Sequence, residues 1–211
     1  LRWAQCEPAS AEAATHAAVA SRYLALALQL CLPTPPALLL THGFSGSGKT
    51  TLTQGLLETI GAIRIRADVE RKRLAGLAAH EHSASALRAG LYSQAMTEAT
   101  YARLLELAAP VLDSGRHAIL DATYLRRAQR DAARRWAAAR RVPCLILDFD
   151  AEPEVLRERV RQRAARGADA SEADEAVLAA QMRTAEPLHN DELDAVVRCR
   201  QLSADGDIQA D

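Results

Sequence analysis

His42-Gly43-Phe44-Ser45-Gly46-Ser47-Gly48-Lys49-Thr50-Thr51 is the stretch that decides how this chain is read. It fits G-x-x-x-x-G-K-[ST], a loop that cradles phosphate between a strand and a helix. Each residue type in it has a physical task. Glycine lets the backbone turn tightly enough for successive N–H groups to converge on one phosphate. The expected cradle is Gly43, Ser45, Gly46, Ser47, Gly48, Lys49, Thr50 and Thr51. Lys49 brings a compact positive charge to β- and γ-phosphate oxygens, and the Thr50 hydroxyl is placed to ligate Mg²⁺. The helix that starts here turns the positive end of its dipole toward the same oxygens.

A chance match is expected in roughly one of 100 chains of this length, so the flanks matter. Ala37–Thr41 reads as a short buried strand that runs straight into the loop, and Thr51–Ile60 carries apolar residues at helical spacing. The chain has 26 basic residues, and only Lys49 and Lys72 are lysines. A sequence that otherwise writes arginine keeps lysine where a small point charge is needed.

Working outward, residues 62–67 form a second strand that ends at Asp68. A carboxylate at the C-terminal end of a parallel strand lies on the ligand side of a doubly wound sheet. Asp68 is therefore the candidate general base, taking a proton from an acceptor hydroxyl, with a helix cap as its alternative role. Arg71 is one helical turn further on and faces the same site; Arg64, Arg66, Lys72 and Arg73 read as solvated charges. Residues 117–123 form a third strand, whose apolar run ends at Asp121. That pattern makes Asp121 the second Mg²⁺ ligand, through water or through the Thr50 hydroxyl.

Residues 75–84 read as a loop, and its His80-x-His82 pair lacks a second cluster of metal ligands. Ser83 or Ser85 is expected to cap a helix reaching about Leu112, with Arg88, Tyr92, Tyr101 and Arg103 as candidate acceptor contacts. Leu125–Arg141 reads as a helix with its apolar side at Leu125, Ala128, Ala132, Trp136 and Ala139. Its arginines, Arg130 among them, form either a solvated basic face or a seat for a phosphate-rich acceptor. A fourth strand covers 142–149. The helix after Glu152-Pro153-Glu154 is arginine-rich and breaks at 167–171. Arg159 and Arg163 share one face of it and suit a lid over a transferring phosphoryl group. Glu172–Gln181 resumes as helix, 195–199 is a fifth strand, and the tail is polar.

The 211 residues suit one α/β domain built on Leu, Ile, Val and Ala, since aromatics are 4%. A net charge of −1 gives no overall attraction to nucleic acid or membrane. Cys6, Cys31, Cys144 and Cys199 form no CxxC pair, which points to reduced thiols in a cytoplasmic protein rather than a zinc site. The expected division is an N-terminal helix and Pro-rich connector over 1–36 and the phosphate-binding domain over 37–211. The helix of 11–32 either packs on the core or docks on a part lying upstream, as the start at Leu1 rather than Met suggests.

Gly43–Thr50, Arg66–Arg71, Asp121–Thr123 with Arg130, and Arg159–Arg163 together resemble the small P-loop kinases of the adenylate-kinase-like group. The likeness is greatest to the ATP-binding kinase domain fused behind aminoglycoside-phosphotransferase-like domains. Asp68-x-x-Arg71 is similar to an element of polynucleotide 5′-hydroxyl kinases, in which the Asp is the base and the Arg contacts the acceptor side. The resemblance covers about Ala20 to Arg200. It implies a P-loop NTPase fold, a five-stranded parallel sheet in the order 2-3-1-4-5 with helices on both faces. It implies ATP with Mg²⁺ as donor, a hydroxyl acceptor on a small polar molecule or a nucleic acid 5′ end, and an upstream aminoglycoside-phosphotransferase-like domain as partner. On this expectation Lys49, Asp68, Arg71, Arg159 and Arg163 are catalytic. The alternative is an ATP-binding regulatory module with no acceptor of its own. Asp121 is followed by Ala122, not Glu, and no N-K-x-D occurs, which argues against a motor ATPase and a GTPase.

Overall fold

The computed structural model describes residues 11–31, 35–78, 90–166, 171, 173–201 and 208–210. Contacts divide the chain into two compact units, Leu1–Thr34 and Pro35–Asp211. In the first, helix α1 (Ala11–Cys31) buries Ala13 and exposes Val19, Tyr23 and Leu24. Ser10, a residue type suited to cap it, lies outside the described residues.

The second unit is built on one sheet. Strands β1 (Leu38–His42), β2 (Ile63–Arg66), β3 (Ala118–Asp121), β4 (Cys144–Phe149) and β5 (Val196–Gln201) are parallel and lie in the order 2-3-1-4-5. The five strands expected are joined by a sixth from the polar tail: β6 (Ile208–Ala210) pairs antiparallel with β5 and extends the edge. Successive residues of a strand face opposite sides of a sheet, and the core obeys this alternation. Leu38, Leu40, Ala118, Leu120 and Ile146 pack on one face with α4 (Gln94–Asp113) and α5 (Arg127–Ala139). Leu39, Ile119 and Leu147 pack on the other with Leu52, Leu56 and Ile60 of α2 (Lys49–Ile60). A third cluster joins Leu156 and Val160 of α6 (Pro153–Arg166) to Leu178 of α7 (Glu175–Thr184), with Phe44 of the glycine loop against it.

Two local expectations need correction. Helix α4 is capped by the Ser93 hydroxyl, which accepts the Met96 N–H, so it begins at Gln94. The proposed caps Ser83 and Ser85, together with His80, His82 and Arg88, lie outside the described residues. The second correction concerns α5, which buries Arg130, Ala133 and Ala137; Ala128, Ala132 and Ala139 are exposed. Its alanines lie on every side, so spacing alone left the face ambiguous.

Arg130 sets that face. It is 0% exposed, as is its partner Glu192. Its Nε donates to Glu192 Oε1 at 2.7 Å, and its Nη2 to Glu192 Oε2 and the Pro187 carbonyl at 3.0 Å each. Its Nη1 donates to the carbonyls of Tyr124 at 3.1 Å and Glu186 at 3.2 Å. Five donors thus meet five acceptors, the full complement of a guanidinium. The remaining basic face of α5 is largely self-neutralised, since Arg127 and Arg134 both pair with Asp131 and Asp191.

Candidate active site

The site lies where β1, β2 and β3 end. Thr41 Oγ1 donates to the Ala122 carbonyl at 2.6 Å and accepts the Ala122 N–H at 3.0 Å. The Gly43 N–H donates to the Thr123 carbonyl at 3.1 Å. These bonds bind the start of the glycine loop to the end of β3 and so bring Thr50 to Asp121. Gly43 has φ +141, and a Cβ there would run into the Phe149 carbonyl and Ser47 Oγ. Gly46 has φ +88, and a Cβ there would sit 2.9 Å from the Leu156 carbonyl of α6. Both positions demand glycine, by backbone conformation and by space.

Lys49 is 8% exposed. Its Nζ donates to the carbonyls of Gly43 at 2.9 Å and Phe44 at 2.6 Å, so the loop curls around its own ammonium. Burial pushes the Lys49 amine down to about 8; the Asp121 and Asp68 carboxylates oppose that shift, and Arg163 adds to it. Thr50 Oγ1 donates to Asp121 Oδ2 at 2.8 Å. Burial raises the Asp121 carboxyl above its ordinary value, against the Thr50 hydrogen bond and the Lys49 and Arg66 charges. A hydroxyl and one carboxylate in contact are hard oxygen donors of the kind Mg²⁺ takes together with phosphate oxygens, so this pair fits that ion. Among the described residues, no group of three or more His, Cys, Asp or Glu forms a separate metal cage.

Asp68 is the second residue of α3 (Ala67–Leu74), and the N-cap is Arg66. The capping alternative for Asp68 therefore does not describe its position. It lines a cavity of about 1220 Å³ along with Lys49, Thr50, Arg71 and Asp121. Ser45, Gly46, Gly48 and Thr51 line the same cavity, as do Arg159 and Arg163. Gly43 and Ser47 are not in its wall; they support the loop from behind. Arg159 Nη1 donates to the Gly46 carbonyl at 3.3 Å, and Arg163 Nη2 to the Ala173 carbonyl at 2.9 Å. The break after α6 falls largely outside the described residues.

Several residues in the site carried no sequence signal. Gln181 of α7 accepts the Ser45 N–H and donates to Ser45 Oγ, both at 3.0 Å, which latches α7 to the loop. Arg66, expected in solvent, has its Nε 3.9 Å from Asp121 Oδ2. Arg64, also expected in solvent, donates to the Thr50 carbonyl at 2.7 Å, and Lys72 is 3% exposed. Tyr101 was a candidate contact. Its hydroxyl lies 3.2 Å from Thr123 Oγ1 and accepts the Tyr124 N–H at 3.2 Å. Tyr92 and Tyr101 both line the cavity. Arg103 instead pairs with Glu106, at 3.0 Å.

None of the described helices is long and apolar enough to cross a membrane. The model of the AAA domain family matches residues 38–188. An uncharacterized protein of Mycobacterium tuberculosis (strain ATCC 25618 / H37Rv), Rv2004c, is 34% identical over 181 residues, which is 85% of this chain and 35% of that protein. A counterpart in Mycobacterium bovis (strain ATCC BAA-935 / AF2122/97) gives the same figures. The chain thus spans about a third of the length of these curated relatives. Among solved structures, a gluconokinase from Sinorhizobium meliloti 1021 superposes with a TM-score of 0.54 at 20% identity, over 78% of this chain and 82% of that one. A sugar kinase from Janibacter sp. HTCC2649 superposes with a TM-score of 0.54 at 22% identity, over 78% and 84%. Likeness at such identities is a likeness of fold.

Proposed function

The chain belongs to the AAA domain family, and from that premise we propose that it is an ATP-dependent phosphotransferase acting on a hydroxyl. The acceptor hydroxyl is carried by a small polar molecule or a nucleic acid 5′ end. The observation that carries this reading is the sharing of one cavity by the phosphate loop, Asp68 with Arg71, and Arg159 with Arg163. Donor, base and charge-neutralising groups thus surround one space. The working domain is 37–211. The resemblance to domains fused behind an aminoglycoside-phosphotransferase-like partner accords with relatives about three times as long as the matched stretch.

In this mechanism the loop N–H groups and Lys49 Nζ take the β- and γ-phosphate oxygens, with Lys49 exchanging two carbonyl acceptors for phosphate. Thr50 and Asp121 would hold Mg²⁺, which when bound neutralises charge on those oxygens. The acceptor oxygen forms a bond to the γ-phosphorus as the bond from that phosphorus to the β,γ-bridging oxygen breaks. The hydroxyl proton passes to the Asp68 carboxylate, and ADP leaves with the bridging oxygen. Arg159 and Arg163, carried on α6, act as a lid that stabilises the charge spread over the transferring group and excludes water.

The test offers the protein γ-labelled ATP and Mg²⁺ with two pools, 5′-hydroxyl oligonucleotides and small polyols, sugars and aminoglycosides. Label is expected on one pool, with turnover reduced at least ~10²-fold in Asp68→Asn while ATP still binds. Normal turnover in that variant removes Asp68 from the chemistry. ATP binding without transfer to either pool favours a regulatory nucleotide-binding module.

A further inference from the structure

We infer that Arg66 competes with the divalent cation for Asp121, and that this competition makes metal and nucleotide bind together rather than singly. This rests on the phosphotransfer reading of the same site, in which Thr50 and Asp121 hold Mg²⁺.

The sheet itself builds the contact. Arg66 at the end of β2 lies beside Asp121 at the end of β3 in the parallel register. Residues paired in this way present their side chains on one face of the sheet, here the face that α2 covers. Two residues earlier on that face, Arg64 spends its donors on α2. It bonds the Thr50 carbonyl at 2.7 Å, Gln54 Oε1 at 3.1 Å and Thr53 Oγ1 at 3.3 Å. Arg66 instead brings its Nε to 3.9 Å from Asp121 Oδ2. The same oxygen accepts the Thr50 hydroxyl at 2.8 Å. A metal ion taken by that oxygen therefore meets a guanidinium beside it. The Asp121 side chain is 5% exposed, so water screens the repulsion weakly.

The rest of the cavity does not offset this repulsion. Among the described residues its wall carries six cationic side chains and four carboxylates. Two of the four, Glu98 and Glu186, already accept from Gln94 and from the Arg127 N–H. One hydroxyl and one shared carboxylate are few oxygens for Mg²⁺, which sheds its waters reluctantly. A nucleotide alters both sides of the balance. Its phosphates bring further oxygen ligands to the metal. They also offer the guanidinium a better match to its fork than a carboxylate oxygen already bonded to Thr50. Arg66 thus acts through Asp121 as a positioning residue, and by linkage each ligand favours the other by the same factor.

Electron paramagnetic resonance of Mn²⁺ titrated into the full chain tests this without requiring turnover, since Mn²⁺ takes the same oxygen donors as Mg²⁺. Without nucleotide, Arg66→Gln should bind Mn²⁺ about tenfold more tightly than the wild type, or better. Arg66→Lys keeps a charge at that position and should stay near the wild type. In Arg66→Gln/Asp121→Asn the gain should vanish, which locates the ion at Asp121. With saturating ADP, Mn²⁺ affinity should stay within about threefold of the wild type in Arg66→Gln, so the coupling between metal and ADP falls. A merely structural role would instead weaken metal and ADP together. Should Arg66→Gln fail to melt cooperatively, Arg66→Met carries the same expectation. The inference is overturned if Mn²⁺ alone binds no tighter once the charge is gone, if the gain survives without Asp121, or if Arg66→Lys behaves as Arg66→Gln. Label transfer from ATP is followed separately. Coupling that depends on Arg66 without transfer supports the inference and counts against phosphotransfer. Transfer without such coupling does the reverse.

Discussion

Replacing Arg130 with alanine should be the most damaging single truncation in the α5 face. The side chain is fully buried with Glu192, and its removal strands one carboxylate and the carbonyls of Tyr124, Glu186 and Pro187. Removing one member of a buried pair costs about 3–5 kcal/mol, because the other charge remains in place without compensation. For a domain of this size, each kcal/mol moves Tm by roughly 2–4 °C, so a fall of roughly 6–20 °C is expected. Calorimetry and urea titration measure it. Burial alone would raise the Glu192 carboxyl, but hydrogen bonds from Arg130 and the His189 N–H outweigh it and hold the carboxyl below its ordinary value. A carboxyl held low contributes stability above its unfolded value near 4.3, and that stability is lost as pH falls through the lower folded value. Glu192→Gln should therefore flatten the acid arm of the stability curve. In a double-mutant cycle, the loss in Arg130→Ala/Glu192→Ala should fall short of the sum of the single losses. A loss below about 1 kcal/mol for Arg130→Ala, or strictly additive losses, would refute this account of the pair.

Gln181→Ala removes two hydrogen bonds to Ser45 and should weaken ATP binding by about three- to tenfold with little change in turnover; a fluorescent-nucleotide titration reads this, and unchanged affinity removes the latch. Gly43→Ala forces a side chain into a left-handed position against the Phe149 carbonyl. It should abolish nucleotide binding and lower stability by about 1–3 kcal/mol, and a variant that binds ATP normally contradicts the packing described. Burial pushes the thiols of Cys144 and Cys199 up to about 11 from 9. At pH 8 each then holds about a hundredth of the thiolate of an ordinary cysteine, and alkylation followed by peptide mapping should find both slow. Labelling at the rate of a free thiol would contradict their burial.

Strands β1, β3 and β4 were legible because each is a short apolar run that meets Gly or Asp, and the two faces of the sheet follow from alternation, whereas β6 has no such run. The loop and Asp121 were legible because a motif places them at strand ends. The buried face of α5 was not. A helix of alanine and arginine has no single apolar stripe, and only the distant Glu192 reveals which arginine turns inward. The roles of Gln181, Arg64 and Arg66 escaped notice for a similar reason. Each matters through a partner on another element, and nothing near it in the chain announces that partner. The single helix expected to reach about Leu112 is interrupted before Gln94, because an unbroken apolar pattern does not show where Ser93 caps a new one.

The Arg130–Glu192 pair joins residues 62 positions apart, and β4, α6 and α7 all lie between them. The arginine-bearing helices are therefore not a free arm but a loop closed at both ends, by β4 in the sheet and by Glu192 on α5. The entropy of closing a loop grows only with the logarithm of its length, about 0.6 kcal/mol for each doubling. Once the clasp is made, residues inserted or deleted between α6 and α7 cost little. Under the proposed phosphotransfer, a cover on this segment could be lengthened, shortened or exchanged while the phosphate loop and Asp68 stay where they are, so the segment could be altered without disturbing the rest of the site.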